Sequence, residues 1–129
     1  MFARKVAARL KPNALGEFTN LMECEILPWL RKQAGFLDLI ILAFPEGTEV
    51  ATISFWDDRG DAQAYDSSGY PEVLKILENL LDGAPYVKTF EVVSSTLRGL
   101  PSPTLRRRRN KVPRALSAQL HHSSYETNP

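Results

Sequence analysis

The residues with the clearest capacity for chemistry crowd into one stretch of the chain. Trp56, Tyr65 and Tyr70 bring three large rings close together, and tyrosine hydroxyls are able to orient a phenolic or quinone-like ligand by hydrogen bonding. Packing for area alone is the simpler reading of such rings. Asp57, Asp58, Asp61 and Asp66 occupy the same stretch. Carboxylates serve as general bases or metal ligands when partly buried, yet a cluster at a helix start is also what the helix dipole favours. Their spacing matches no calcium loop. Cys24 is the only cysteine and the only histidines are His121 and His122, near the C-terminal end. A catalytic thiolate wants a histidine or cation beside it, so an inert thiol is expected.

A two-layer domain would position these residues. Phe2, Val6, Ala8 and Leu10 alternate with Lys5 and Arg9, the period of a first strand over 2–10, although Arg4 interrupts the apolar side. Pro12-Asn13 ends it, with Asn13 expected as the N-cap of a helix over 14–33. Leu15, Phe18, Met22, Ile26, Trp29 and Leu30 recur at spacings of three and four, the stripe that covers a sheet. Pro28 should bend that helix and Gly35 should close it.

Phe36 to Phe44 is apolar on both alternating faces apart from Asp38, which predicts a strand buried on both sides. Pro45-Glu46-Gly47 then turns the chain into a strand over 48–56, making a hairpin. A short helix over 58–66 should be cut by Ser67-Ser68-Gly69. Pro71 starts another, with Val73, Leu74, Leu77, Leu80 and Leu81 inward. Tyr86 to Thr96, rich in β-branched and aromatic residues, makes the last strand. The order is that of an α+β, ferredoxin-like split βαβ sandwich with an antiparallel sheet and its second helix broken in two. Helices cover only one face of such a sheet. The apolar segment Phe36 to Phe44 therefore predicts a homodimer that buries the other.

The expected domains are a folded body over 1–96 and a basic, disordered tail over 97–129. Across the 129 residues the formal net charge is +1, yet the body carries −5 and the tail +6. An acidic body repels phosphate backbones. Nucleic acid is thus expected only through the tail, where Arg106 to Arg109, with Lys111 and Arg114, form the basic run. No aromatic residue interleaves those arginines, so base stacking is not expected. The third strand also lacks the basic-Gly-aromatic signature of RNA-recognition sheets. With one cysteine, no export signal and no apolar run near the roughly 20 residues that span a bilayer, a cytoplasmic protein without membrane contact is expected.

Lys11-Pro12-Asn13 through Glu17-Phe18, Ile26-Leu27-Pro28-Trp29-Leu30-Arg31-Lys32-Gln33-Ala34-Gly35-Phe36, Ser54-Phe55-Trp56-Asp57 and Tyr65 with Tyr70-Pro71-Glu72-Val73-Leu74 resemble the antibiotic biosynthesis monooxygenase-like family of dimeric α/β-barrel proteins. The resemblance covers residues 1–96 and none of the tail. It implies a dimeric α/β barrel with a pocket between sheet and helices in each subunit, lined around Trp56, Tyr65 and Tyr70. Some members of that family oxidise aromatic substrates without metal or flavin; others degrade haem through a histidine and an asparagine. Here both histidines lie in the tail, and strand one offers Val6, Ala7 and Ala8 rather than an amide, so haem chemistry is disfavoured. The expectation is a homodimeric protein that binds a small aromatic ligand, with no cofactor and no metal. The alternative is a cofactor-independent monooxygenase acting on a hydroquinone- or anthrone-like substrate.

Overall fold

The computed structural model describes residues 1–97. The expected disorder of the tail, the Arg106 to Arg109 run and His121-His122 lie outside the described residues. Met1–Glu91 is one compact unit. Val92 to Leu97, the described part of a second unit, holds no regular element.

Four strands, β1 (Phe2–Arg9), β2 (Phe36–Ala43), β3 (Glu49–Trp56) and β4 (Tyr86–Glu91), form one sheet in the order β2-β3-β1-β4. Every pairing is antiparallel. Two helical stretches cross one face. The first runs through α1 (Leu15–Leu21), a π-helical turn Met22–Ile26 and α2 (Leu27–Leu30); the second runs through α3 (Arg59–Ala64), a π-helical turn Tyr65–Gly69, α4 (Tyr70–Leu77) and a 3₁₀ turn Glu78–Leu80. This is the ferredoxin-like α+β sandwich that the element order predicted.

The core lies between the layers. Phe18, Met22, Ile26 and Leu30 from the first helical stretch meet Val73, Leu77 and Leu80 from the second, over Phe2, Leu10, Val50 and Trp56 of the sheet side. Each such side chain contributes about 1.5–3 kcal/mol by leaving water. Period two along β1 and β3 sends Phe2, Arg4, Val6 and Ala8, with Val50, Thr52, Ser54 and Trp56 opposite them, toward the helices. Ala3, Lys5, Ala7 and Arg9, opposite Phe55, Ile53, Ala51 and Glu49, take the other face.

Several expectations need correction. The second helix is not broken at Ser67-Ser68-Gly69. It continues as a π turn, and the Ser67 and Ser68 hydroxyls donate to the Gln63 and Ala64 carbonyls one turn back. The bend expected at Pro28 likewise takes the form of a π turn. In both helices that turn ends two residues before a proline, and the N–H just before the proline reaches five residues back, Leu27 to Met22 and Tyr70 to Tyr65. A proline ring collides with the carbonyl four residues earlier, Cys24 for Pro28 and Ser67 for Pro71, and a wider turn moves that carbonyl aside.

Asn13 is not the N-cap. It adopts φ 63°, and Ala14 takes the cap position without a side-chain hydrogen bond. Asparagine tolerates the left-handed region better than most residues, which here suits the turn after β1. β4 stops at Glu91 rather than at Thr96, because Glu91 already faces Phe2, the first residue of its only partner strand. β2 is an edge strand and none of its residues is fully buried within the chain. Leu39 and Ile41 pack toward the helices. Leu42 and Phe44 are left 48% and 54% exposed.

Candidate functional site

Arg4 is the one charged side chain buried among the described residues. It sits on a central strand, between Ser54 on β3 and Thr89 on β4, and its strand phase points it at the helices. Only 2% of it is exposed. Several kcal/mol are lost when a charge of this kind leaves water, unless partners replace the solvent. Three partners do so in part. Arg4 Nη2 donates to Asp66 Oδ1 at 2.5 Å, but the Asp66 side chain is 54% exposed and solvent screens the pair. The guanidinium carbon stands 4.0 Å from the Tyr70 ring centroid and 5.2 Å from that of Tyr65, contacts worth up to about 2 kcal/mol when desolvated. The buried Nε–H has no acceptor among the described residues.

The π turn Tyr65–Gly69 places these partners. Tyr65 opens it, Asp66 follows, and Tyr70 comes directly after it. The extra residue per turn brings all three to the Arg4 side of the helix, which fits the frequent use of such bulges at functional sites. Tyr65 stacks on Trp56 with ring centroids 4.9 Å apart and planes at 27°. Trp29 and Tyr70 stand tilted against it, at 6.2 and 6.3 Å. Gly69 allows this closeness: a Cβ there would lie 2.7 Å from atoms of both the Trp29 and Tyr65 rings.

Arg4, Tyr65 and Tyr70 line a cavity between sheet and helices, with Ser54 and Thr52 as its other polar walls. Phe18, Met22, Ile26, Leu30, Leu39 and Val73 are among its apolar ones. Its volume is about 50 Å³. That is room for water molecules, against the roughly 150 Å³ in which a benzene ring has been held. Trp56 does not line it. The indole is fully buried behind Tyr65, meets Phe36 edge-on at 5.6 Å, and donates Nε1–H to Ser54 Oγ at 2.9 Å. Of the three rings singled out in the sequence, two face the cavity and the third fixes the orientation of one of them.

Burial pushes the Tyr65 phenol up to about 12, with Arg4 pulling the other way. Tyr70 is raised for the same reason, again opposed by Arg4. Both hydroxyls therefore stay protonated at neutral pH and can donate a hydrogen bond to a ligand. The aspartates divide. Asp66 pairs with Arg4, whereas carboxylate oxygens of Asp57, Asp58 and Asp61 lie within 4.8 Å of one another. Asp58 accepts the Asp61 N–H at 2.9 Å as the N-cap of α3. Loss of solvent, then the Asp58 and Asp57 charges, raise Asp61. The capping role of Asp58 accounts for the presence of this cluster, in which Asp57 and Asp58 are exposed and Asp61 is half-buried. Cys24 is exposed, its Sγ 3.4 Å from Asn20 Oδ1.

Solved structures with the same arrangement of sheet and helices are many. NE2512, a protein of unknown function from Nitrosomonas europaea, superposes with a TM-score of 0.64 at 18% identity, over 74% of this chain and 92% of that one. The monooxygenase ActVA-Orf6 of Streptomyces coelicolor, solved in complex with nanaomycin D, gives 0.64 at 21% identity over 74% and 90%. SnoaB of Streptomyces nogalater, a cofactor-independent oxygenase, gives 0.61 at 14% identity over 74% and 95%. The fold is that of the antibiotic biosynthesis monooxygenases. Neither the protein-family models nor the curated proteins contain a match to this sequence. At these identities the likeness to the antibiotic biosynthesis monooxygenases is one of fold. No helix among the described residues is long and apolar enough to cross a membrane.

Arg4 went unassigned in the sequence because it broke a strand pattern. That interruption was itself the available signal. A charge in the core-facing phase of an otherwise apolar strand has to be met by partners inside the fold.

Proposed function

We propose that residues 1–96 form a homodimeric small-molecule-binding domain, that the ligand is a small aromatic compound, and that it is held between sheet and helices at Arg4, Tyr65 and Tyr70 with Trp56 behind them. The observation that carries this reading is the incompletely partnered Arg4 guanidinium lying between two phenols on a cavity otherwise walled by apolar groups. A few convergent polar groups in an apolar recess are the common form of a ligand site. Because the cavity is smaller than an aromatic ring, binding must open it. The outer face of the sheet supports the dimer: Leu42, Tyr86 and Phe90 lie exposed there beside a cleft of about 660 Å³ that includes Ala7, Ala51 and Ile53. The lone Cys24 supports a reducing, cytoplasmic setting. Titration of 1-naphthol against intrinsic tryptophan fluorescence tests the binding reading. Saturable quenching that weakens in Tyr65→Phe is expected, and a linear, non-saturating response would refute it.

A cofactor-independent monooxygenase is the second reading, favoured by the fold shared with ActVA-Orf6 and SnoaB and by a pocket that offers donors to an electron-rich ring. In such a reaction an anthrone methylene becomes a carbonyl. One oxygen atom enters the substrate, the other leaves as water with the two methylene hydrogens, and the substrate supplies the electrons. Oxygen uptake with anthrone and hydroquinones, lost in Tyr65→Phe, is the expected result. Uptake no faster than in buffer would eliminate the enzyme and leave the binding protein.

A further inference from the structure

We infer that the cavity takes its ligand as an oxyanion, a phenolate or enolate, whose oxygen is received by the Arg4 Nε–H together with the phenol hydroxyls beside it. This rests on the reading of the cavity as a ligand site and adds the charge state of what enters it. The groups around Arg4 lead there. Behind it β3 and β4 present neutral side chains, Ser54 and Thr89. The Ser54 hydroxyl is already used, accepting from Trp56 Nε1 and lying 3.4 Å from the Arg4 carbonyl that it donates to. From the helix come two protonated phenols, of which the Tyr70 oxygen lies within hydrogen-bonding reach of the guanidinium, and one carboxylate, Asp66, which engages Nη2; Nε is left without an acceptor among the described residues. The recess thus holds a buried cation and donors in excess, and its one acidic side chain faces water on the far side. Burying a full positive charge against a screened, half-exposed partner leaves much of its desolvation uncompensated. An oxyanion inside the cavity supplies both the missing acceptor and an unscreened countercharge. A neutral ether or hydrocarbon of the same shape supplies neither.

A second cleft marks where Asp66 sits in this balance. About 310 Å³ in volume, it is lined by Arg4, Asp66, Arg59, Gln63, Val87 and Thr89 among others, so Arg4 is shared between the inner cavity and the outer cleft. Asp66 holds the guanidinium from the outer side. An oxyanion bound within competes with Asp66 for the same charge, and removing that carboxylate should favour the ligand.

The test uses the full chain with 4-nitrophenol, whose phenolate alone absorbs in the visible, and its neutral methyl ether 4-nitroanisole. Tyr65 and Tyr70 remain protonated at about pH 6 to 8, where the probe titrates. Bound 4-nitrophenol is expected to show the phenolate band at a pH where the free compound is mostly protonated, and to bind at least about tenfold more tightly than the ether. Arg4→Met should abolish both differences. Should that variant fail to fold, Asp66→Asn decides: it is expected to tighten phenolate binding several-fold and leave the ether unchanged, roughly the scale of one exposed ion pair. Equal binding of both probes, or a phenolate band that does not move or recedes in Asp66→Asn, would overturn the inference and leave the ligand site standing. If neither probe binds, the ligand site falls and the inference with it.

Discussion

Tyr65 is where packing and chemistry meet, and its titration separates them. The hydroxyl is held up to about 12 by burial, whereas an unfolded chain releases that proton near 10. Between those values the unfolded state binds fewer protons than the folded one, so stability falls as pH rises. The contribution is present in full below about pH 10 and is gone above about pH 12, a loss on the order of 2–3 kcal/mol. Tyr65→Phe keeps the ring on Trp56 and removes the proton. Denaturation of the two proteins at a series of alkaline pH values should therefore show a steeper decline for the parent chain; parallel declines would mean that the phenol is solvated. Trp56 behaves differently, because it is fully buried and bonded to Ser54. Trp56→Ala should cost about 3–5 kcal/mol, so any loss of ligand binding in that variant has to be read against its unfolding curve. The rings of this site were legible from their residue types and closeness in the chain. The arginine was not, because periodicity identifies which face a residue joins and says nothing of a partner sixty residues away on a helix.

Among the elements, the two helical stretches carry the same device, a π turn just ahead of Leu27-Pro28 and of Tyr70-Pro71. Proline in the sequence signalled a disturbance of the helix, and Ser67-Ser68-Gly69 looked like a break. Whether a chain breaks or widens at such a point depends on what the continued helix can bury, and here Val73 and Leu77 complete the core only if it continues. The strands were more legible than the helix details, since period two and turn residues fix them locally. Gly69 gives a test in which two effects have opposite signs. In an open helix Gly→Ala stabilises by about 1 kcal/mol. At Gly69 the new methyl would meet the Trp29 and Tyr65 rings at 2.7 Å, and overpacking of that kind costs about 1–3 kcal/mol. Gly69→Ala should be destabilising in urea denaturation, with the change largest in the near-ultraviolet signal of the tryptophans. A gain in stability would mean that the helices are free to separate at this point.

For the whole molecule the unresolved balance lies on the sheet face that the helices do not cover. Period two predicted its apolar content, but not that β2 lies at the edge of the sheet, because strand order depends on long-range pairing that a local pattern does not encode. The face presents Ile40, Leu42, Ala7, Ala51, Ile53, Tyr86 and Phe90 in register, with Tyr86 67% exposed. It also sets Lys5 directly across from Lys88, a like-charge pair that is unfavourable in an isolated sheet. Apolar side chains at this density are stabilised by a second surface. Asp38, an acidic residue of the same face, would offer the lysines of a second copy a countercharge, whereas Glu49 already lies 3.9 Å from Arg9. Leu42→Asp places a charge among the exposed apolar side chains without touching the helix side, where Leu39 and Ile41 pack. Sedimentation equilibrium at micromolar concentration is expected to give a dimer for the parent chain and a monomer for Leu42→Asp with its circular dichroism intact. A parent chain that sediments as a monomer would remove the dimer, and would leave the sheet's outer surface as apolar area exposed to water at about 25 cal/mol per Å².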